Sequence, residues 1–171
     1  IDSSLSISAS MEHTIYEESL IIGPYSTVNL EGILNVHSKY IFISPSARLI
    51  GKGTFNITNQ QYTVDKPKEV FLDANANRVF EANMKLSKGV KLTLAELYAV
   101  DLTLEEQSLN DFHIKGNLHM EESTVQLNGN ILVLGETSLL SKSGVESFIN
   151  SNNNPKSKLS KLIGPKESFT F

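Results

Sequence analysis

The residues of this chain best suited to chemistry are its four histidines and its clustered carboxylates. His113 and His119 lie in a stretch that alternates apolar and polar residues. Phe112, Ile114, Leu118 and Met120 take one side, so both imidazoles take the other. Two imidazoles on adjacent strands could hold a metal ion, but no carboxylate at a convincing spacing completes the site. They are read as solvated surface histidines. Asp101, Glu106 and Asp111 could fall on neighbouring laps of a repeating fold. Carboxyl groups held about 5–10 Å apart across a cleft are what glycoside cleavage requires. The adjacent pairs Glu17-Glu18, Glu105-Glu106 and Glu121-Glu122 instead point to opposite faces or sit in turns, where solubility accounts for them. Gly51-Lys52-Gly53-Thr54 has the residue types of a phosphate loop without its spacing or a following helix, and reads as a turn. No Gly-x-Ser-x-Gly elbow is present. Asn56-Ile57-Thr58 fits a glycosylation sequon, which matters only in a eukaryotic secretory host. Tyr16, Tyr25, Tyr40, Tyr62 and Tyr98 form no evident stacking stripe. No residue is assigned a catalytic, cofactor-binding or metal-ligating role, and no cofactor is expected.

The elements that would position these groups are short strands. Phe112-x-Ile114-x-Gly116-x-Leu118-x-Met120 is followed by Val125-x-Leu127-x-Gly129-x-Ile131-x-Val133. The same phrase appears as Val28-x-Leu30-x-Gly32-x-Leu34-x-Val36, and a relative as Leu49-x-Gly51-x-Gly53-x-Phe55-x-Ile57. Phe80 to Leu86, Val90 to Leu94 and Val100 to Leu104 alternate as well. Such alternation puts one set of residues inside and their polar neighbours in water. One inward residue per strand gives Val28, Leu34, Ile41, Leu49 and Phe55, then Phe112, Leu118, Val125, Ile131 and Leu139, at steps of 6 to 8 residues. Turn residues fill the gaps, as at Ser44-Pro45-Ser46, Ser87-Lys88-Gly89 and Asn128-Gly129-Asn130. Three strands make a lap of about 20 residues, a solenoid period. Gly32 to Gly53 and Leu49 to Val70 both span 21 residues.

The fold expected is therefore all-β: a right-handed parallel β-helix of about five to six coils, with glycines at the bends. The alternative is an antiparallel β-sandwich, with Glu121-Glu122-Ser123-Thr124 closing a hairpin. Residues 1–20 are expected to form an N-terminal cap, 21–145 the solenoid, and 146–171 a linker or the start of a further module. Glu96 to Gln107 is ambiguous with helix, and Pro67 to Asn83 lacks a clear period. Val145, Phe148 and Ile149 fit a short helix. Lys156, Lys158, Lys161 and Lys166 read as charges on the solvated linker rather than a basic patch.

Composition narrows the function classes. The net charge of −4 argues against a nucleic-acid partner, which calls for a concentrated positive field. With no cysteine, disulfides, thiolate metal sites and a cysteine nucleophile are excluded. No apolar run approaches the ~18 residues of a membrane helix, so no membrane insertion is expected.

The phrases ARLIGKGTFNITN (47–59) and VQLNGNILVLGETSLLSKSG (125–144), with the tail FINSNNNPKSKLSKLIGPKESFTF (148–171), resemble β-helix coils of Bacteroidota surface and secreted proteins exported by type IX secretion. The coils also resemble, less closely, bactofilin-type polymers. The first resemblance implies an N-terminal piece of a longer extracellular or cell-surface protein. The function expected is a non-enzymatic structural or adhesive segment, with a polysaccharide or other surface polymer as partner. The alternatives are a polysaccharide lyase or glycoside hydrolase on a β-helix, and a self-assembling β-helical polymer.

Overall fold

The computed structural model describes residues 3–59, 67–95 and 110–162. Within them the chain forms strands and turns only. Two six-stranded sheets and two three-stranded sheets are parallel throughout. The B sheet runs through β2 (Glu12–Ile15), β5 (Ile33–Val36), β8 (Thr54–Ile57), β10 (Asn83–Leu86), β13 (Leu118–Glu121) and β16 (Leu140–Ser143). The C sheet runs through β3 (Ser19–Ile22), β6 (Tyr40–Ile43), β9 (Lys68–Asp73), β11 (Val90–Leu94), β14 (Thr124–Gln126) and β17 (Phe148–Asn150). The A sheets hold β1 (Ser4–Ile7), β4 (Thr27–Leu30) and β7 (Arg48–Ile50), then β12 (Asp111–Ile114), β15 (Ile131–Leu134) and β18 (Lys158–Lys161). Phe80 joins the two halves by pairing with Leu49 on one side and Ile114 on the other.

Chain order visits A, B and C in rotation, so each strand pairs with the strand one lap later. This is the pattern of a parallel β-solenoid, and the parallel pairing overturns the antiparallel sandwich. The connection across Glu121 to Thr124 turns a corner from the B sheet to the C sheet rather than closing a hairpin. Val28 pairs with Leu49 and Leu34 with Phe55, each 21 residues on. The interval grows to 31 from Ile41 to Leu72 and to 33 from Leu92 to Val125. The added length falls between Asn59 and Pro67 and between Ala95 and Asn110. The 21-residue step from Leu49 to Val70 is a coincidence of spacing. Leu49 pairs with Phe80, while Val70 lies on the C sheet beside Leu92.

Strands of four residues are too short to be stable alone, and stacking supplies what each lacks. Inward residues of successive laps form continuous rows: Leu34, Phe55, Met84 and Leu118 in one, Val36, Ile57, Leu86 and Met120 beside it. All eight are buried. Burial of such side chains stabilises by about 1.5–3 kcal/mol each. Phe80 stands edge-on to Phe55 and to Phe112, with ring centroids 5.7 and 5.5 Å apart. Backbones approach most closely where the A sheet bends into the B sheet. A Cβ on Gly53 would lie 2.2 Å from the Gly32 carbonyl oxygen, so that corner accepts no side chain.

Several expectations shift by a residue. Ile131 and Leu139 do not face the core. Leu132 and Leu134 do, and Leu140 rather than Leu139 pairs with Leu118. The helix expected at Val145 to Ile149 is absent. Val145 is fully exposed, and Phe148–Asn150 pairs with β14. The segment read as lacking a period holds β9 and ends at β10. Residues 4–7, 12–15 and 19–22 contribute strands to the same sheets as the middle of the chain, as do 148–150 and 158–161. The possible helix at Glu96 to Gln107 and the alternating run Val100 to Leu104 lie outside the described residues.

Candidate functional site

Outward rows repeat the logic of the core with polar side chains. On the B sheet, Asn56 donates to the Asn35 side-chain oxygen at 2.7 Å, Asn35 donates to the Glu12 carboxylate, and the Ser87 hydroxyl donates to Asn56 at 2.9 Å. The amide of the sequon residue Asn56 is thus engaged on both its oxygen and its nitrogen. This row is a stabilising seam rather than an open site.

His113 and His119 are not brought together. They belong to β12 and β13, on different sheets. His119 shares a 2.8 Å hydrogen bond with Ser141 on the next lap. His113 is not a solvated histidine, since its side chain is only 17% exposed. Its Nε2 lies 2.8 Å from Asp111 Oδ2 and also beside the Arg78 guanidinium, whose other nitrogen donates to Asp111 Oδ1 at 3.1 Å. Burial acts to raise the Asp111 carboxyl. The His113 hydrogen bond and the Arg78 charge outweigh it and hold the group below its ordinary value. Both carboxylate oxygens are therefore occupied, which leaves Asp111 poorly placed to act as acid or base on a sugar. Asp101 and Glu106 lie outside the described residues. Glu121 and Glu122 pair with Lys85 at 3.1 Å and Lys88 at 2.6 Å. Glu17 and Glu18 are exposed. Among the described residues no group of three or more His, Asp or Glu side chains could hold a metal ion. Gly51-Lys52-Gly53 forms the bend between β7 and β8. Lys158 and Lys161 belong to β18, paired along β15, while Lys166 lies outside the described residues.

A second polar cluster lies where the B sheet bends into the C sheet. His37 Nδ1 lies 3.4 Å from the Thr58 hydroxyl, and Lys68 donates to the Thr58 carbonyl at 3.4 Å. Burial lowers the His37 pKa and the Lys68 charge lowers it further, against an opposing hydrogen bond from Thr58. Burial also lowers the Lys68 pKa, partly offset by Glu18.

A concave surface with mixed chemistry lies on the C sheet. Two outward rows cross it in register: Lys91, Thr124 and Phe148, and beside them Thr93, Gln126 and Asn150. With Glu122 and Glu146 at the preceding corners, all of these but Thr93 line an open groove of about 470 Å³. Phe148 is 50% exposed over it. The charges are largely compensated locally, since Lys91 meets Glu69 at 3.2 Å and Lys88 meets Glu122. Toward the first laps the second row continues into Phe71 and Tyr40, stacked with centroids 5.6 Å apart, and the Lys39 ammonium sits 4.9 Å over the Tyr40 ring. Tyr16 and Tyr25 take no part in this row, and Tyr62 and Tyr98 lie outside the described residues. The sequence reading of the tyrosines missed the Tyr40–Phe71 pair, which is separated by 31 residues because of the longer connection before β9. Phe148 was missed because it was placed in a helix.

No family model matches the chain, and no match is found among curated proteins or solved structures.

Proposed function

We propose that the chain is a non-enzymatic segment of an exported cell-surface protein, a right-handed β-solenoid of six turns acting as a stalk or adhesive scaffold. The observation that carries this reading is the continuity of the rows, inward and outward, across successive laps. Inward rows such as Leu34–Phe55–Met84–Leu118 make each lap dependent on its neighbours, so the stack resists bending as a unit. Outward rows such as Thr93–Gln126–Asn150 present polar side chains at a fixed spacing of about 4.8 Å, which suits multivalent contact with a polymer. The rotation through the three faces supports six turns with β18 opening another, a column roughly 25–30 Å tall at that spacing. The sequence resemblance to coils of type IX-exported Bacteroidota proteins supports the location.

The test is protease shaving of intact cells that make the native protein, followed by detection with an antibody raised against this chain. Loss of the signal without lysis is the expected result. A signal that persists until the cells are broken would refute the surface location.

A further inference from the structure

We propose that the groove across β11, β14 and β17 is a binding site for a neutral oligosaccharide stretch of a surface glycan. The assignment deepens the scaffold reading by giving that scaffold a defined ligand face. The rows Lys91–Thr124–Phe148 and Gln126–Asn150 are in register, so a chain laid along the stacking direction meets Lys91, then Thr124 with Gln126, then Phe148 with Asn150, at steps of about 4.8 Å. Gln126 and Asn150 carry amides whose oxygens accept from Asn152, at 3.4 and 2.8 Å, which orients their NH2 groups as donors to sugar hydroxyls. The Glu146 carboxylate lines the same groove as a strong acceptor and, among the described residues, makes no ion pair. Phe148 supplies a half-exposed ring for the C–H face of a pyranose. The volume of about 470 Å³ suits a short run of sugar rings and falls within the ordinary range of ligand clefts, about 300–1,000 Å³.

Charge selects among occupants. Lys88 and Lys91 are already paired with Glu122 and Glu69, so the groove offers no surplus cation to a uronate or sulfated chain. Glu146 would repel one. An extended peptide gains its affinity by pairing with a strand edge; β11 and β14 are paired on both edges, so a peptide would add along the outer edge of β17 rather than lie across these rows.

The experiment is calorimetric or NMR titration of the purified chain with linear hexaoses of glucose, mannose and xylose. Hexagalacturonate and a neutral extended peptide serve as comparisons. At least one neutral hexaose should saturate the chain in the micromolar to low-millimolar range, with little dependence on salt. Phe148→Ala and Phe148→Leu should each weaken it about tenfold, since the flat ring rather than apolar bulk is what the sugar meets. Gln126→Ala should weaken it several-fold, and Leu139→Ala, at the corner before β16, should leave it unchanged. Far-UV circular dichroism confirms that each variant folds. Failure of every neutral hexaose, preference for the uronate or the peptide, or indifference to both Phe148 variants would overturn the proposal. The surface location is read separately by shaving, so either idea can fail without the other.

Discussion

Replacing Phe80 with alanine should destabilise the chain by about 4–5 kcal/mol. Truncating a buried phenylalanine costs about 3–5 kcal/mol through lost transfer energy and the cavity left behind. Phe80 belongs at the upper end for two reasons. Its ring is fully buried and edge-on to both Phe55 and Phe112, and each such pair contributes about 0.5–1.5 kcal/mol beyond burial. It also sits where isolated bridges, rather than a full strand, connect β7 to β12. Against a total stability of about 5–15 kcal/mol this is a large fraction. Phe80→Leu, which keeps most of the volume, should cost about 1–1.5 kcal/mol. The exposed control Leu139→Ala should stay within about 0.5 kcal/mol of the parent. Urea unfolding followed by circular dichroism measures all three at comparable denaturant slope. A cost below about 1 kcal/mol for Phe80→Ala, or one equal to that of Leu139→Ala, would refute the stacked aromatic core.

Other outcomes follow from single contacts. Gly53→Ala should cost about 2–3 kcal/mol, the range for imposed strain, because its Cβ would meet the Gly32 backbone rather than a movable side chain; a neutral substitution in the same unfolding assay would show that the corner is looser than described. His37 has a lowered pKa in the fold, so the unfolded chain binds the proton more readily. Stability should therefore be fully present above the ordinary histidine value and fall as pH drops through the lowered one. Thermal melts between pH 7.5 and 5 should show this decline in the parent and a shallower one in His37→Gln; identical profiles would exclude it. Asp111→Asn should cost about 1–3 kcal/mol by removing the charged acceptor that holds Arg78 and His113, whereas equal stability would mean that the cluster contributes nothing net.

Much of the core was legible in the alternation. Val28, Leu34, Ile41, Leu49 and Phe55 are all buried where a period of two puts them. The reading slipped at Ile131 because Asn128 and Gly129 both take positive φ, and that turn shifts the parity of the strand after it. It slipped again at Phe148 because a helical spacing of apolar residues has no force without a surface to bury them against, and β14 offers a paired edge instead. The glycines of the phrases that begin at Phe112 and Val125 do lie at bends: Gly116 between β12 and β13, Gly129 between β14 and β15. Polar partners were the least legible. Arg78 meets His113 across 35 residues, an interval set by the long connection after β11 rather than by any local pattern.

The central claim is that the strands stack in parallel register, one lap upon the next. The absence of cysteine makes paired spin labels straightforward. Thr14, Asn35, Asn56, Lys85, His119 and Ser141 occupy one outward row of the B sheet. Labels placed on Thr14 and in turn on Asn56, Lys85, His119 and Ser141 should give backbone separations of about 10, 14, 19 and 24 Å, one increment of about 4.8 Å per lap. A series that fails to lengthen steadily, or that brings Thr14 and Ser141 closer than Thr14 and Lys85, would contradict the stacked arrangement.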